Sequence, residues 1–249
     1  MKKTKTREME VIFGVHPLLE LAKAKKRKIF KIYTLRDEPE QVEFVRKSVK
    51  YPVEVHHFGR EELTRIAGSS DHQGIVAFVS PFQFRSKPFD TMRYRALVML
   101  DGIQDPRNLG ALLRSAYCTG FSGVILTRKN SAPINAVCIK ASAGLAEHLE
   151  IYQVPSAAAG VGELKQAGYS LYVTVLREGV SKAVDVAYHL PLCVIIGSEG
   201  FGISRSIIKE GIPVVLPQRT ADISYNASVA GALMMFLIAT QHKLFDGAR

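Results

Sequence analysis

Cysteine is scarce in this 249-residue chain: Cys118, Cys138 and Cys193 are odd in number and far apart. No CxxC pair occurs, which removes zinc-ribbon and thioredoxin-type redox chemistry from consideration. Unpaired thiols point instead to a reducing compartment. Long apolar runs are missing as well. The longest, Val229–Ala239, has 11 residues, short of the roughly 20 that a membrane helix needs. The first ten residues are charged and no apolar segment follows them, so no secretory leader is expected. These absences predict a cytoplasmic chain with no membrane partner. Both nucleotide fingerprints are also lacking: no GxGxxG turn and no GxxxxGK phosphate loop is present.

What is there is a globular composition. With 47% hydrophobic and 22% charged residues, the chain can bury a real core, so disordered, collagen-like and disulfide-scaffold classes are excluded. The length fits one large domain or two of ordinary size. The net charge of +10 is unevenly placed. Residues 1–95 carry 20 basic and 12 acidic side chains, a net of +8, whereas residues 96–249 carry 13 and 11, a net of +2. A basic half beside a balanced one suits a polyanion-binding module, although solubility alone would also account for it.

The hydrophobic pattern divides the chain in the same place. After a basic tail (1–10), residues 11–79 read as a small α/β domain. Its strands are expected at Val11–Phe13, Ile29–Leu35, Val53–Phe58 and Gly74–Val79, and its helices from Pro17 to Ala22, at Gln41–Ser48 and at Arg60–Ala67. The cationic run Lys23–Lys28 ends the first of these helices, where the macrodipole favours positive charge. Residues 80–94 hold two prolines and no apolar periodicity, and read as a linker. From 95 to 249 short apolar strands alternate with helices. The strands are Ala96–Leu100, Gly123–Leu126, Ser170–Thr174, Cys193–Ile196 and Val214–Leu216. The helices are Asn108–Thr119, Asn135–Ala143, Ala158–Ala167, Gly202–Lys209 and Ser228–His242. The pattern predicts an α/β fold whose mainly parallel sheet is covered on both faces. Ligands of such sheets bind at the carboxyl ends of the strands.

Three turns at those ends carry more polar residues than packing requires. Asp101-Gly102-Ile103-Gln104-Asp105-Pro106-Arg107-Asn108 leads into a helix, with Asn108 where an N-cap would stand and Arg114 about 120° round from it. Alone, these read as a cap and a surface arginine. Gly197-Ser198-Glu199-Gly200-Phe201-Gly202 places three glycines after a buried strand, as backbone approaching a ligand would, although Glu199 could simply be a helix-start acid. Leu216 through Ser228 sets Ser224, Asn226 and Ser228 before the most apolar helix of the chain; a cap explains one of them.

Taken together and in this order, the three turns resemble the three motifs of the SpoU (TrmH) family of RNA 2′-O-ribose methyltransferases, within the SPOUT superfamily. The resemblance spans essentially the whole chain. Residues 95–249 are similar to the methyltransferase domain and residues 11–79 to the small RNA substrate-binding domain of the rRNA-modifying branch, including its His72-Gln73-Gly74-Ile75 segment. The resemblance implies a deep trefoil knot, a homodimer whose interface carries the site, S-adenosyl-L-methionine as cofactor and no metal. It implies that the cofactor is held by Ile196, Gly197, Gly202, Leu216 and Tyr225, with Thr174, Val175 and Leu176 near the adenine. It implies that Arg114 is the catalytic arginine, with Asn108, Glu199, Ser224 and Asn226 completing the site. A guanidinium does not give up its proton in proteins. Arg114 is therefore expected to bind an RNA phosphate and stabilise the developing alkoxide rather than act as the base. The third motif departs from the family: Tyr225 stands where leucine is usual, and Gln218 and Thr220 replace Met and Gly.

The implied partner is RNA, with 23S rRNA favoured over tRNA. Lys23–Lys28 and the tail are candidates for phosphate contacts, and Phe58, Phe82 and Phe84 for base stacking, although charge runs are commonly solvated faces and aromatics commonly core. Two rivals differ in kind. A catalytically silent rRNA-binding factor would have lost part of the polar set, which is intact. A dinucleotide oxidoreductase would need the absent GxGxxG.

Overall fold

The structure is a computed structural model that describes residues 9–198, 200, 202–220 and 224–247. In chain order its elements are β1 (Glu10–Phe13), α1 (Val15–Ala24), β2 (Ile29–Thr34), α2 (Glu40–Ser48), β3 (Glu54–His57), α3 (Arg60–Ala67) and β4 (Ile75–Val79). There follow β5 (Ala96–Asp101), α4 (Pro106–Cys118), β6 (Gly123–Thr127), α5 (Ala136–Ala141), β7 (Ile151–Val154), α6 (Ala157–Ala167), β8 (Ser170–Thr174) and β9 (Ser181–Lys182). The chain ends on β10 (Leu192–Gly197), α7 (Arg205–Ile208), β11 (Ile212–Val215) and α8 (Ala227–His242). It divides into two compact units, residues 9–83 with Ile134–His148, and residues 84–133 with 149–247.

The first unit is a four-stranded mixed sheet in the order β1-β4-β2-β3. Strands β1 and β2 flank β4 antiparallel, and β3 runs parallel to β2. Its core holds Ile12, Leu18, Leu21, Ile32 and Leu63, all essentially sealed from solvent. The His72-Gln73-Gly74 segment is a turn built on positive φ at Gln73 (54°) and Gly74 (80°). The Gly74 N–H donates to His72 Nδ1 at 3.0 Å, and the Gln73 side-chain oxygen accepts from Val15 N–H (3.3 Å) and Lys140 Nζ (2.6 Å). That motif is thus accounted for as a structural lock within the unit. Of the proposed stacking aromatics, Phe58 packs against the Phe13, Leu63 and Val76 cluster, whereas Phe84 is exposed.

The second unit is a seven-stranded sheet in the order β7-β6-β5-β10-β8-β11-β9, and every pairing in it is parallel. Its central strands are apolar on both faces, as burial on both sides requires: Leu97, Val98, Met99, Val194 and Ile195 are fully buried. The sequence pattern missed β7 and β9, which form the two edges of the sheet. The helix expected from Gly202 to Lys209 contracts to α7, because Gly202 adopts a left-handed φ of 59° that a helix cannot contain. The proline-punctuated stretch 80–94 is divided between the units. Phe82 N–H donates to the Glu10 carboxylate in the first. In the second, Arg85 N–H donates to the Ile151 carbonyl at 2.8 Å while its guanidinium donates to the Tyr94 hydroxyl at 2.9 Å.

Candidate active site

Because all seven strands run parallel, their carboxyl ends share one edge of the second unit, and the loops that leave β8, β10 and β11 meet there. Thr174, the last residue of β8, donates its hydroxyl to the Ile195 carbonyl of β10 at 2.9 Å, and Val175 N–H donates to the Val214 carbonyl of β11 at 2.9 Å. These bonds fix three loop origins side by side. Between them lies a cavity of about 260 Å³. Thr174, Val175, Leu176, Ile196, Gly197, Gly202, Leu216 and Tyr225 all line it, and so does Ser224. Ser198, Val215, Gln218, Ala227 and Ala230 complete the wall; of these only Gln218, a departure from the family's third motif, is marked in the sequence as bearing on the cofactor site. Ala227 and Ala230 are one turn apart in α8, and their small side chains could have signalled a wall that needs room.

Two of the lining residues, Gly197 and Gly202, present bare backbone. A Cβ on Gly197 would stand 2.6 Å from the Gly202 carbonyl carbon and 2.6 Å from Ile203 Cγ1, so only glycine fits. The Gly202 N–H donates back to the Ser198 carbonyl at 3.0 Å, which folds the glycine loop onto itself. Around the third turn the departures from the family pattern bond to backbone carbonyls of the same turn. Tyr225 donates its hydroxyl to the Pro217 carbonyl at 3.2 Å, and the Gln218 amide donates to the Thr220 carbonyl. A second cavity of about 630 Å³ shares Leu176, Val215, Leu216 and Gln218 with the first, and adds Arg177, Lys182 and Arg219.

The polar residues have individual placements. Asn226 is the N-cap of α8: its side-chain oxygen accepts from Ser228 N–H (2.9 Å) and from the Ser228 hydroxyl (2.6 Å). The cap therefore accounts for Asn226 and Ser228 together and leaves Ser224, of these three, as the one that lines the cavity. Asn108 is not a cap. Asp105 caps α4, accepting from Arg107 N–H at 2.8 Å with Pro106 at the first helical position, and half-buried Asn108 lies within the first turn. Arg114 is exposed on α4, on the face it shares with exposed Tyr117 and Cys118. Asn108, Arg114 and Asn226 do not line the 260 Å³ cavity, and Glu199 lies outside the described residues. Asp101 ends β5 in register with Gly197 of β10; burial pushes its carboxyl pKa up, against a hydrogen bond from Thr127.

Residues 95–236 match the SpoU rRNA Methylase family, and residues 11–85 match the RNA 2′-O ribose methyltransferase substrate-binding family. A Staphylococcus haemolyticus protein described as a TrmH family tRNA/rRNA methyltransferase is 33% identical over 198 residues, covering 76% of this chain and 78% of its own. A tRNA/rRNA methyltransferase of Mycolicibacterium gilvum is 31% identical over 252 residues, covering 96% and 79%. Among solved structures, the SpoU methyltransferase AviRb of Streptomyces viridochromogenes in complex with AdoMet superposes with a TM-score of 0.78 at 20% identity, over 94% of this chain and 91% of that one. An AdoMet-bound rRNA methyltransferase of Sinorhizobium meliloti gives 0.79 at 22% identity, over 96% and 88%. At such identities the two structures establish the fold.

Proposed function

The chain belongs to the SpoU family of RNA methylases, and from that premise we propose that it methylates a ribose 2′-hydroxyl of RNA, using S-adenosyl-L-methionine, with a guanosine of 23S rRNA as the favoured target. The observation that carries this reading is the convergence of loops from β8, β10 and β11 on one cavity whose wall includes the bare backbone of Gly197 and Gly202. A cofactor without phosphate needs no phosphate loop, and none is present. Gly197, Ile196, Leu216 and Tyr225 would hold it, Thr174, Val175 and Leu176 would meet its adenine, and the adjoining larger cavity supplies further room. When bound, S-adenosyl-L-methionine supplies an electrophilic methyl on a good leaving group.

The protein's part is then alignment and charge. Holding the 2′-hydroxyl in line with the methyl and excluding water can contribute much of the acceleration. The Arg114 guanidinium, exposed on α4, binds a substrate phosphate and stabilises the alkoxide as it develops. Asn108, Asn226, Ser224 and Glu199 position ribose and arginine. The small domain at 11–79 binds the RNA, and the domain from 95 onward carries the chemistry. The knotted C-terminal path expected of the family is supported by β10 lying between β5 and β8 and by α8 returning to pack on α4 and β10. A homodimer and a cytoplasmic location are part of the same reading. Among the described residues no helix is long and apolar enough to cross a membrane.

The test is transfer of labelled methyl from S-adenosyl-L-methionine to total RNA, with the product mapped by ribose-methylation sequencing. Arg114→Ala is expected to lower kcat/KM by about 10²–10³, the loss typical of one transition-state donor, with cofactor affinity unchanged. A single 2′-O-methyl site in 23S rRNA supports the full reading. A site in tRNA keeps the chemistry and replaces the target. Cofactor binding without transfer to any RNA favours the silent rRNA-binding factor.

A further inference from the structure

A cleft of about 1000 Å³ opens in the first unit and is lined by residues of that unit alone. It lies where α1 and α2 end and where β2 begins. Its apolar floor includes Leu21, Ala22 and Ile29, all buried, and its rim carries Lys25, Lys26, Lys28 and Lys50. The left-handed turn at Lys25 (φ 56°) ends α1 and brings the basic run round the opening. The Lys28 ammonium stands 5.7 Å from the Phe30 ring centre and 5.2 Å from that of Tyr51. The wall beneath it is tied together, since Lys28 N–H donates to Ser80 Oγ (3.0 Å) and Ile29 N–H donates to the Tyr51 hydroxyl (2.9 Å).

Complementing helix dipoles does not explain this charge. The two helix C-termini contribute about half a negative charge each. Together that is about one negative charge against the four lysines of the rim. Arg27 is no part of the rim charge, because its buried guanidinium donates to Glu147 (2.9 Å), Glu10 (2.7 Å) and the Ser80 carbonyl (2.7 Å). Lys25, Lys28 and Lys50 meet no carboxylate among the described residues. A concave surface with apolar walls concentrates such a potential. Flexible ammonium groups, unlike paired guanidinium forks, suit a phosphate chain that is followed rather than one anion gripped in a fixed geometry. The volume is at the upper end of the range for small-ligand sites, about 300–1000 Å³.

We propose that this cleft seats an unstacked nucleotide of the RNA substrate, with the lysines on its flanking phosphates and the base against the floor beside Tyr51. The assignment rests on the proposed reading of the chain as an RNA methyltransferase and adds where, and in which state, the RNA is held. The test uses the full-length protein and a labelled mixed-sequence RNA of about 12 nucleotides, single-stranded or annealed to its complement. Lys25→Gln, Lys28→Gln and Lys50→Gln are combined in one variant. A control variant carries the same charge change at the paired cations Lys31, Lys47 and Arg65.

Losing three contacts to a single strand, each worth about 0.7 in the slope of log K against log salt, should flatten that slope by about 2. Affinity near 150 mM salt should fall about 10-fold or more, the control should change less than about twofold, and wild type should favour the single strand. An unchanged slope, an equal loss in the control, or equal affinity for the duplex would overturn the proposal. Methyl transfer and cofactor binding are measured on the same proteins. Loss of RNA binding in the variant, with no transfer even by wild type, would retain the cleft and reject the methyltransferase reading. Wild-type RNA affinity in the variant alongside normal transfer would reject the cleft alone.

Discussion

At the scale of single residues, backbone fit and proton binding set the sharpest expectations. Gly197 has its Cβ position filled by the carbonyl of Gly202 and by Ile203, so an added methyl must displace the loop that walls the cavity. Overpacking of this kind costs about 1–3 kcal/mol. Gly197→Ala should therefore weaken S-adenosyl-L-methionine binding about 10-fold or more by calorimetry, and retained affinity would mean that the loop does not shape the cofactor site. His72 in the first unit is fully buried, accepts the Gly74 N–H on Nδ1 and lies 3.1 Å from the Thr64 hydroxyl through Nε2. Burial foremost, and then the positive charge of Arg60, holds its pKa below the ordinary histidine value. The unfolded chain thus takes up the proton first as pH falls. Stability that is complete above about pH 6.5 should decline on the acid side by at most about 1.4 kcal/mol per pH unit. Urea midpoints at pH 7.5 and 5.5 should separate more for wild type than for His72→Asn, whose oxygen can still accept the Gly74 bond. Equal separations would exclude His72 as the source.

At the scale of elements, α4 shows how a cap sets the position of a site residue. Asp105 closes the first turn and Pro106 fixes its φ, so the helix starts earlier than a cap at Asn108 would have it. Asp105→Ala should cost about 1 kcal/mol by denaturant unfolding, and Asn108→Ala should leave the cap intact; the reverse order of effects would restore Asn108 as the cap. Periodicity made α3 and β8 legible to the residue, because each stands between unambiguous turn signals. It failed at the two edge strands: β9 has only two residues, too few to show a period, and β7 (Ile151-Tyr152-Gln153-Val154) carries a polar residue inside a four-residue run. It overran at α7, where a left-handed glycine is invisible to hydrophobic pattern. The cavity residues on the strand-end loops came from family resemblance, and the parallel order explains why distant turns meet. The bonds of Tyr225 and Gln218 depend on loop geometry that no residue pattern encodes.

At the scale of the whole molecule, α8 presents an apolar side that the single chain does not cover. This helix is apolar nearly all round, yet only one side of it reaches the core, where Gly231, Met234, Met235 and Ile238 are buried and Gly231 presses against Leu112 of α4. Val229, Leu233 and Phe236, spaced four and three residues apart, form a second stripe that is 46%, 39% and 55% exposed. Phe236 also meets the exposed ring of Phe245. A continuous apolar stripe left exposed marks a surface on which something docks. The proposed homodimer supplies an identical stripe through a two-fold axis. Leu233→Glu combined with Phe236→Glu should therefore give a monomer by sedimentation that still unfolds cooperatively, at a lower temperature by the stabilisation that association supplied, since neither side chain belongs to the buried core of the single chain. If the site is shared between subunits, the same variant should lose methyl transfer far more than cofactor affinity. A wild-type monomer, or a double variant that remains dimeric, would remove α8 as the interface, and a fully active monomer would show that each chain completes its own site.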